Sequence, residues 1–291
     1  GAGVTAAETR SVTADNGTIK VPVDPQRVAA IGNTSLPFID LGGRPVGVTE
    51  ISASELDLVP AEQKATFEAA TNLGPSGGEV DLEKLAALKP DLILAQMPTS
   101  DFELIEKQLE TIAPTVYFGL GAEWKTLADA LAEAGNVTGA LGEQKAEFEK
   151  HVTTIKETYR EIIGNTSFVA VDRWDVSDPG TFVIADFGCV EIAQDDLGLR
   201  FPEVADGYKN LPFEQIGELS TYDVILYPVD AQGRPKRAFA PVVETNTWKA
   251  LPTVNSGRAL GVFCPGNNSY GSVLQYLDSL DRALATLPPR K

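Results

Sequence analysis

Leu82-Glu-Lys-Leu-Ala-Ala-Leu-Lys-Pro-Asp-Leu-Ile-Leu94 carries a short acidic helical segment, a stop at Pro90, and Asp91 in front of an apolar strand. Phe213-Glu-Gln-Ile-Gly-Glu-Leu-Ser-Thr-Tyr-Asp-Val-Ile-Leu226 repeats that order, with Asp223 before the second strand. A long polar helix separates the two occurrences. A helix-then-strand unit on either side of a connector reads as an α/β fold of two lobes, with a ligand cleft expected between them at the carboxyl ends of the strands.

Working outward in the first half, Pro25-Gln-Arg-Val-Ala-Ala-Ile31 is a strand, followed by the polar turn Gly32-Asn-Thr-Ser35 and a helix that Gly42-Gly43 ends. Arg44 to Thr49 is a second strand, and Ala61 to Ala70 a helix. Asp81 is the expected N-cap of the next helix, and Asp91 to Ala95 is a strand. Helix Asp101–Ile112, strand Thr115–Phe118 and helix Trp124–Ala134 complete an alternation that predicts a parallel sheet covered on both faces.

From Gly142 to Ile163, Phe148, Val152, Ile155, Tyr159 and Ile162 recur at helical spacing. The stripe predicts one amphipathic helix about 30 Å long, capped by a left-handed residue at Gly164-Asn165. The second half then offers strands at Ser167–Val171, Thr181–Ile184, Asp223–Tyr227 and Arg258–Val262, a helical run near Val190–Gly198 and a last helix from Ser269 to Leu287. Three polar, aromatic loops follow strands there: Asp172–Asp175, Val229–Arg237 and Pro265–Tyr270. Loops of that kind gather at one edge of a parallel sheet. The expected division is a flexible leader over 1–20, rich in Ala, Thr, Gly and Ser, an N-terminal lobe over 21–141, the connecting helix over 142–164 and a C-terminal lobe over 165–291.

The 291 residues carry a formal charge of −17 with no Lys/Arg cluster, which argues against nucleic acid or anionic lipid as a partner. No apolar run is long enough to span a bilayer. The single His, His151, lies in the charged helix, and the only cysteines, Cys189 and Cys264, match no metal-ligand spacing. No metal site is therefore expected, and the two cysteines read equally as one bridge or as two buried thiols. Phosphate-loop, Gly-x-Ser-x-Gly and His-Glu-x-x-His signatures are all absent. An enzyme, such as a hydrolase using cleft carboxylates, is the weaker reading, and no catalytic residue is assigned.

Pro25–Ile31, Leu41–Val48, Leu82–Leu94, Ile216-Gly-Glu-Leu219 ahead of Asp223-Val-Ile, and Trp248-Lys-Ala-Leu-Pro-Thr-Val254 leading to Gly257-Arg258 together resemble the helical-backbone class of bacterial substrate-binding proteins, the siderophore, haem and cobalamin binders of ABC importers. The order and spacing of these stretches, from about Val21 to Leu287, carry the resemblance. It implies a monomer outside the cytoplasm, periplasmic or held as a lipoprotein through a lipid on an N-terminal Cys that this sequence does not contain, with the residues from Gly1 as tether. It favours a Cys189–Cys264 bridge. It also implies that Glu83 and Glu218 dock the lobes on permease arginines, a role that the resemblance favours over the solvated helix carboxylates that the residues alone suggest.

For the ligand, the lack of metal-ligand side chains turns the reading from bare ions to iron already wrapped by a chelator, which needs hydrogen-bond donors and aromatic walls. Arg173, Trp174, Arg234, Arg237 and Tyr270 form the candidate set from the second lobe, and Asn33, Thr34, Ser35, Gln96, Met97 and Trp124 the set from the first. Asp172, Asp175 and Asp230 dilute the arginines in those loops. That mix leans toward a neutral or cationic hydroxamate siderophore over a triply anionic catecholate. A haem or cobalamin ligand is the alternative within the same class, with Tyr270 as the one axial-ligand candidate for haem. No resident cofactor is expected.

Overall fold

The computed structural model describes residues 8–266 and 269–288. Residues 1–7 of the expected leader, and Asn267 and Asn268 of the third loop, lie outside them. The chain divides into two compact units. One takes the N-terminal part up to Ile51, Pro60–Gln144 and the short stretch ending at Gly271; the other takes Ser52–Val59, the chain from Lys145 through the loop after the last strand, and Ser272 onward. The segment Ser52–Val59 thus belongs with the C-terminal half, which a division at residue 141 does not anticipate.

In the first unit, strands β3 (Val28–Gly32), β4 (Gly47–Val48), β5 (Thr71–Asn72), β6 (Leu92–Gln96) and β7 (Thr115–Phe118) form a sheet in the order β5-β4-β3-β6-β7. Every pairing in it is parallel. The two central strands are buried throughout and feed two cores alternately. Val28, Ala30, Leu92 and Leu94 point to one face, and Ala29, Ile31, Ile93 and Ala95 to the other. This is why their sequences read as continuous apolar runs. Asp81 caps the helix Leu82–Ala87 by accepting a hydrogen bond from the Lys84 amide at 3.0 Å.

Residues 9–22 correct the expectation of a flexible leader. β1 (Thr9–Ala14) and β2 (Gly17–Pro22) form an antiparallel hairpin across an Asp15-Asn16 turn, with Gly17 at φ +113°. Alternation turns Val12 and Val21 into the first unit's core. The turn is pinned to β7: the Gly119 amide donates to Asp15 at 2.8 Å, and the Asn16 amide group donates to the Thr115 carbonyl at 2.9 Å.

The connector is helical over Leu141–Thr158, breaks at Tyr159, and resumes over Arg160–Asn165. The break falls at a buried tyrosine whose hydroxyl donates to the Asp281 carboxylate at 2.5 Å. Burial and that carboxylate push the Tyr159 phenol up to about 12, so it remains a donor. The expected left-handed cap is absent. Thr166 ends the helix in extended conformation, and Asn165 instead donates its side-chain amide to the Glu161 carbonyl at 2.8 Å.

The second unit contains β8 (Phe168–Asp172), β9 (Thr181–Ala185), β10 (Tyr208–Pro212), β11 (Val224–Val229) and β12 (Ala259–Phe263), ordered β10-β9-β8-β11-β12. β8, β11 and β12 are parallel. β9 and β10 are antiparallel additions. Strand β10 escapes a hydrophobicity reading because of its five residues only Leu211 is buried. No helix among the described residues is long and apolar enough to cross a membrane.

Candidate functional site

Because β8, β11 and β12 run parallel, the chain leaves all three at the same edge, and the segments that follow them build one cavity of about 290 Å³ in the second unit. Asp172 and Trp174 enter from the first segment, Lys236 from the second, and Cys264 and Gly266 from the third. Tyr227 and Tyr276 lie deeper, and Phe187 and Glu55 complete the wall. In the wall Trp174 packs against Phe187 at 5.8 Å between ring centroids, and it meets Tyr208, which does not line the cavity, edge-on at 5.1 Å. Phe187 and Tyr208 are themselves exposed. A half-open aromatic wall of this kind suits the organic skirt of a ligand.

Lys236 is the polar centre. Its side chain is 2% exposed, and its ammonium donates to Glu55 at 2.5 Å and to Asp172 at 3.2 Å. Burial works against the charged amine, but the two carboxylates together hold its pKa above the ordinary lysine range. Burial pushes the Asp172 carboxyl up, against the pull of Lys236. Burial also raises the Tyr227 and Tyr276 phenols, which stay protonated.

Glu55 reaches this cavity because the segment Ser52–Val59 is clipped onto the second unit. Asp175 accepts from the Ser54 amide at 3.0 Å and from its hydroxyl at 2.5 Å, which hold the Asp175 carboxyl below its usual range. Arg237 pairs with Asp57 at 2.6 Å, and Leu58 packs against Val229 and Phe263. Opposite in the wall, a disulfide joins Cys189 to Cys264, with α-carbons 6.5 Å apart, and ties the segment after β12 to the helical turn after β9.

Of the second-lobe candidates, only Trp174 lines this cavity. Arg173 is spent on its own scaffold, donating from Nε to the Thr181 carbonyl at 2.9 Å and from a terminal nitrogen to the Ala238 carbonyl at 3.0 Å, with its guanidinium over the Phe213 ring. Arg234 is 73% exposed and folds back on Asp230 at 3.0 Å. Arg237 serves the Asp57 clip. Tyr270 groups with the first unit, buried against Trp124 at 4.8 Å between centroids.

In the first unit, Asn33, Thr34 and Ser35 follow β3, and Gln96 and Met97 stand at the end of β6. Gly32, at φ +67°, lets the chain pass so close to Gln96 that any Cβ there would overlap its carbonyl. Asn33 is exposed. Thr34 is fully buried with its hydroxyl directed to the Ile31 and Leu94 carbonyls, and Met97 is packed in the core beside Tyr117 and Phe102, so neither presents a side chain to a ligand. Ser35 and Gln96 are buried as well, the Gln96 amide donating to the Gly119 carbonyl at 3.2 Å. Glu83 and Glu218 are exposed, each on the helical stretch that precedes a central strand, β6 and β11. His151 is half-buried in the connector, and no group of three or more His, Cys, Asp or Glu among the described residues is placed to hold a metal ion.

Lys236 stands between Arg234 and Arg237, and the sequence reading names the two arginines and not the lysine. The signal for it is weak: Val229 bridges Pro235 and the Lys236 amide donates to the Pro228 carbonyl, a return of the chain onto β11 that a strand-turn pattern at Asp230–Gly233 hints at.

The periplasmic binding protein family model matches residues 32–260, most of the chain. The chain belongs to that family. It is a family of binding proteins, not of enzymes. This family member is 31% identical over 164 residues to YhfQ of Bacillus subtilis (strain 168), named as an ABC transporter substrate-binding lipoprotein; the match covers 55% of the chain and about half, 49%, of that relative's length. It is 26% identical over 267 residues to the iron(3+)-hydroxamate-binding protein FhuD of the same organism, covering 86% of the chain and 78% of FhuD. Among solved structures, the siderophore periplasmic binding protein from the fuscachelin gene cluster of Thermobifida fusca superposes with a TM-score of 0.77 at 28% identity, over 92% of this chain and 99% of that one.

Proposed function

We propose that this binding protein captures a ferric siderophore outside the cytoplasm, with hydroxamate chelates preferred, and delivers it to an ABC importer. The observation that carries the reading is the aromatic-walled cavity at the carboxyl edge of β8, β11 and β12, in which Lys236 is the one lining cation among the described residues and is already matched by two carboxylates. A triply anionic catecholate complex demands several unpaired cations, whereas a ferric tris-hydroxamate asks for ring surface and a few hydrogen bonds. Similarity to a hydroxamate binder supports the same choice, and similarity to a siderophore binder supports the broader siderophore class. Binding involves no covalent step: Trp174 and Phe187 desolvate the chelate, and the iron keeps the oxygen ligands it arrived with. Exposed Glu83 and Glu218 then supply two anchor points for permease arginines, charge-assisted pairs that fix orientation more than affinity.

Titration with a ferric tris-hydroxamate, read by intrinsic tryptophan fluorescence, tests this. Quenching that saturates at sub-micromolar ligand, and that Trp174→Phe largely abolishes, is expected. A flat signal with every ferric siderophore tried overturns it.

A further inference from the structure

The cavity holds more negative than positive charge, and the excess stands where a ligand can reach it. Lys236 is fully enclosed, whereas the Glu55 side chain it binds is 47% exposed and the Asp172 side chain 29% exposed. Formally the three groups sum to one negative charge. Of the neighbouring cations, Arg237 is paired with Asp57 and Arg234 with Asp230, while Arg173 keeps its charge on the Thr181 and Ala238 carbonyls but does not line the cavity. Glu55 uses one carboxylate oxygen on Lys236, and a carboxylate has four lone-pair positions. Its remaining acceptor capacity, on the rim of an apolar cavity, is an address for a donor that carries positive charge.

We propose that Glu55, supported by Asp172 and held in place by Lys236, selects ferric chelates that carry a positively charged amine, and that it is the specificity-determining residue of the cavity. The inference rests on the siderophore reading above and narrows it from hydroxamates in general to those with a cationic arm. Lys236 acts as a positioning residue, since without it two carboxylates at this spacing would repel and Glu55 would swing to solvent. The clip of Ser54 on Asp175 adds a second constraint on where Glu55 stands.

The test compares two probes with the same iron core. Ferrioxamine B ends in a free ammonium group, and its N-acetylated form ends in a neutral amide. The full chain should bind the ammonium form about fivefold more tightly, the scale of one half-exposed charge pair. Glu55→Gln, which still accepts a hydrogen bond from Lys236, should remove the preference, bringing the ratio of the two affinities to about one, and Glu55→Asp should restore part of it. Raising the salt concentration should shrink the preference in the parent protein only. Equal affinity of the parent for the two probes, or a preference that survives Glu55→Gln, overturns the role of Glu55 and leaves the siderophore reading standing. Failure of both probes to bind overturns the siderophore reading and this inference with it.

Discussion

Replacing Lys236 with Met keeps the length of the side chain and removes its charge. The ammonium makes two ionic hydrogen bonds, at 2.5 Å to Glu55 and 3.2 Å to Asp172. Glu55 is half-exposed and turns to water when the lysine is lost, so most of the cost falls on Asp172, left without its counter-charge. Taking a hydrogen bond to a charged group as about 1.5–3 kcal/mol and breaking a buried pair as about 3–5, the expected loss after allowing for solvent at Glu55 is about 3 kcal/mol. In a protein of this size about 1 kcal/mol moves the midpoint by about 2–4 °C, so calorimetry should show a fall of about 6–12 °C at neutral pH. The pH dependence carries the sharper test. Burial already raises the Asp172 carboxyl, and losing Lys236 removes the main influence that lowers it. A carboxyl with a folded pKa above its unfolded value adds stability below the unfolded pKa and loses it as pH rises through the folded one. The deficit of Lys236→Met should therefore be largest at neutral pH and shrink on acidification. A variant that melts within about 2 °C of the parent, or whose deficit is the same at pH 7.5 and pH 4.5, would refute the reasoning.

Three further outcomes are expected. Reduction of the Cys189–Cys264 bridge, or its replacement by a pair of serines, should destabilise the second unit by up to about 4.5 kcal/mol in denaturant titrations, the chain-entropy value for a closed loop of 75 residues; indistinguishable midpoints with and without reductant would count against a bridge. Val21→Ala should cost the first unit about 2 kcal/mol, since the hairpin side chain is fully buried, and a cost near zero in the same titration would mean that the hairpin is not part of that core. Charge reversal at both Glu83 and Glu218 should abolish uptake of the ferric chelate in cells while leaving its affinity in solution intact, and normal uptake would dismiss the docking role.

The sequence announces the parts of the fold that local chemistry decides. Pro90 and the Asp81 cap bound their helix, and the all-apolar runs of β3 and β6 declare strands covered on both faces, so the parallel order of the first sheet follows. The hairpin over 9–22 was lost because threonines and serines mask its alternation, although Asn16-Gly17 between Val12 and Val21 is a strong hairpin signal. Other features depend on partners far along the chain. Arg173 reads as a ligand donor until Ala238, 65 residues away, takes one of its hydrogen bonds. Among Arg234, Lys236 and Arg237 composition does not say which cation is enclosed. That is decided by the turn in which Asp230 accepts from the Arg234 amide and side chain, holding Arg234 outward, while Lys236 is turned toward Glu55, a residue 181 positions earlier. Trp174 was legible because its loop directly follows a strand whose carboxyl end had to meet those of β11 and β12.

The most direct measurement is a crystal structure of the chain with a ferric tris-hydroxamate, with the iron located by its anomalous signal. The iron complex is expected against Trp174 and Phe187 with its organic arms toward Glu55, and no protein atom within bonding distance of the metal. Iron coordinated directly by side chains, or a chelate seated away from the carboxyl edge of β8, β11 and β12, would contradict the account.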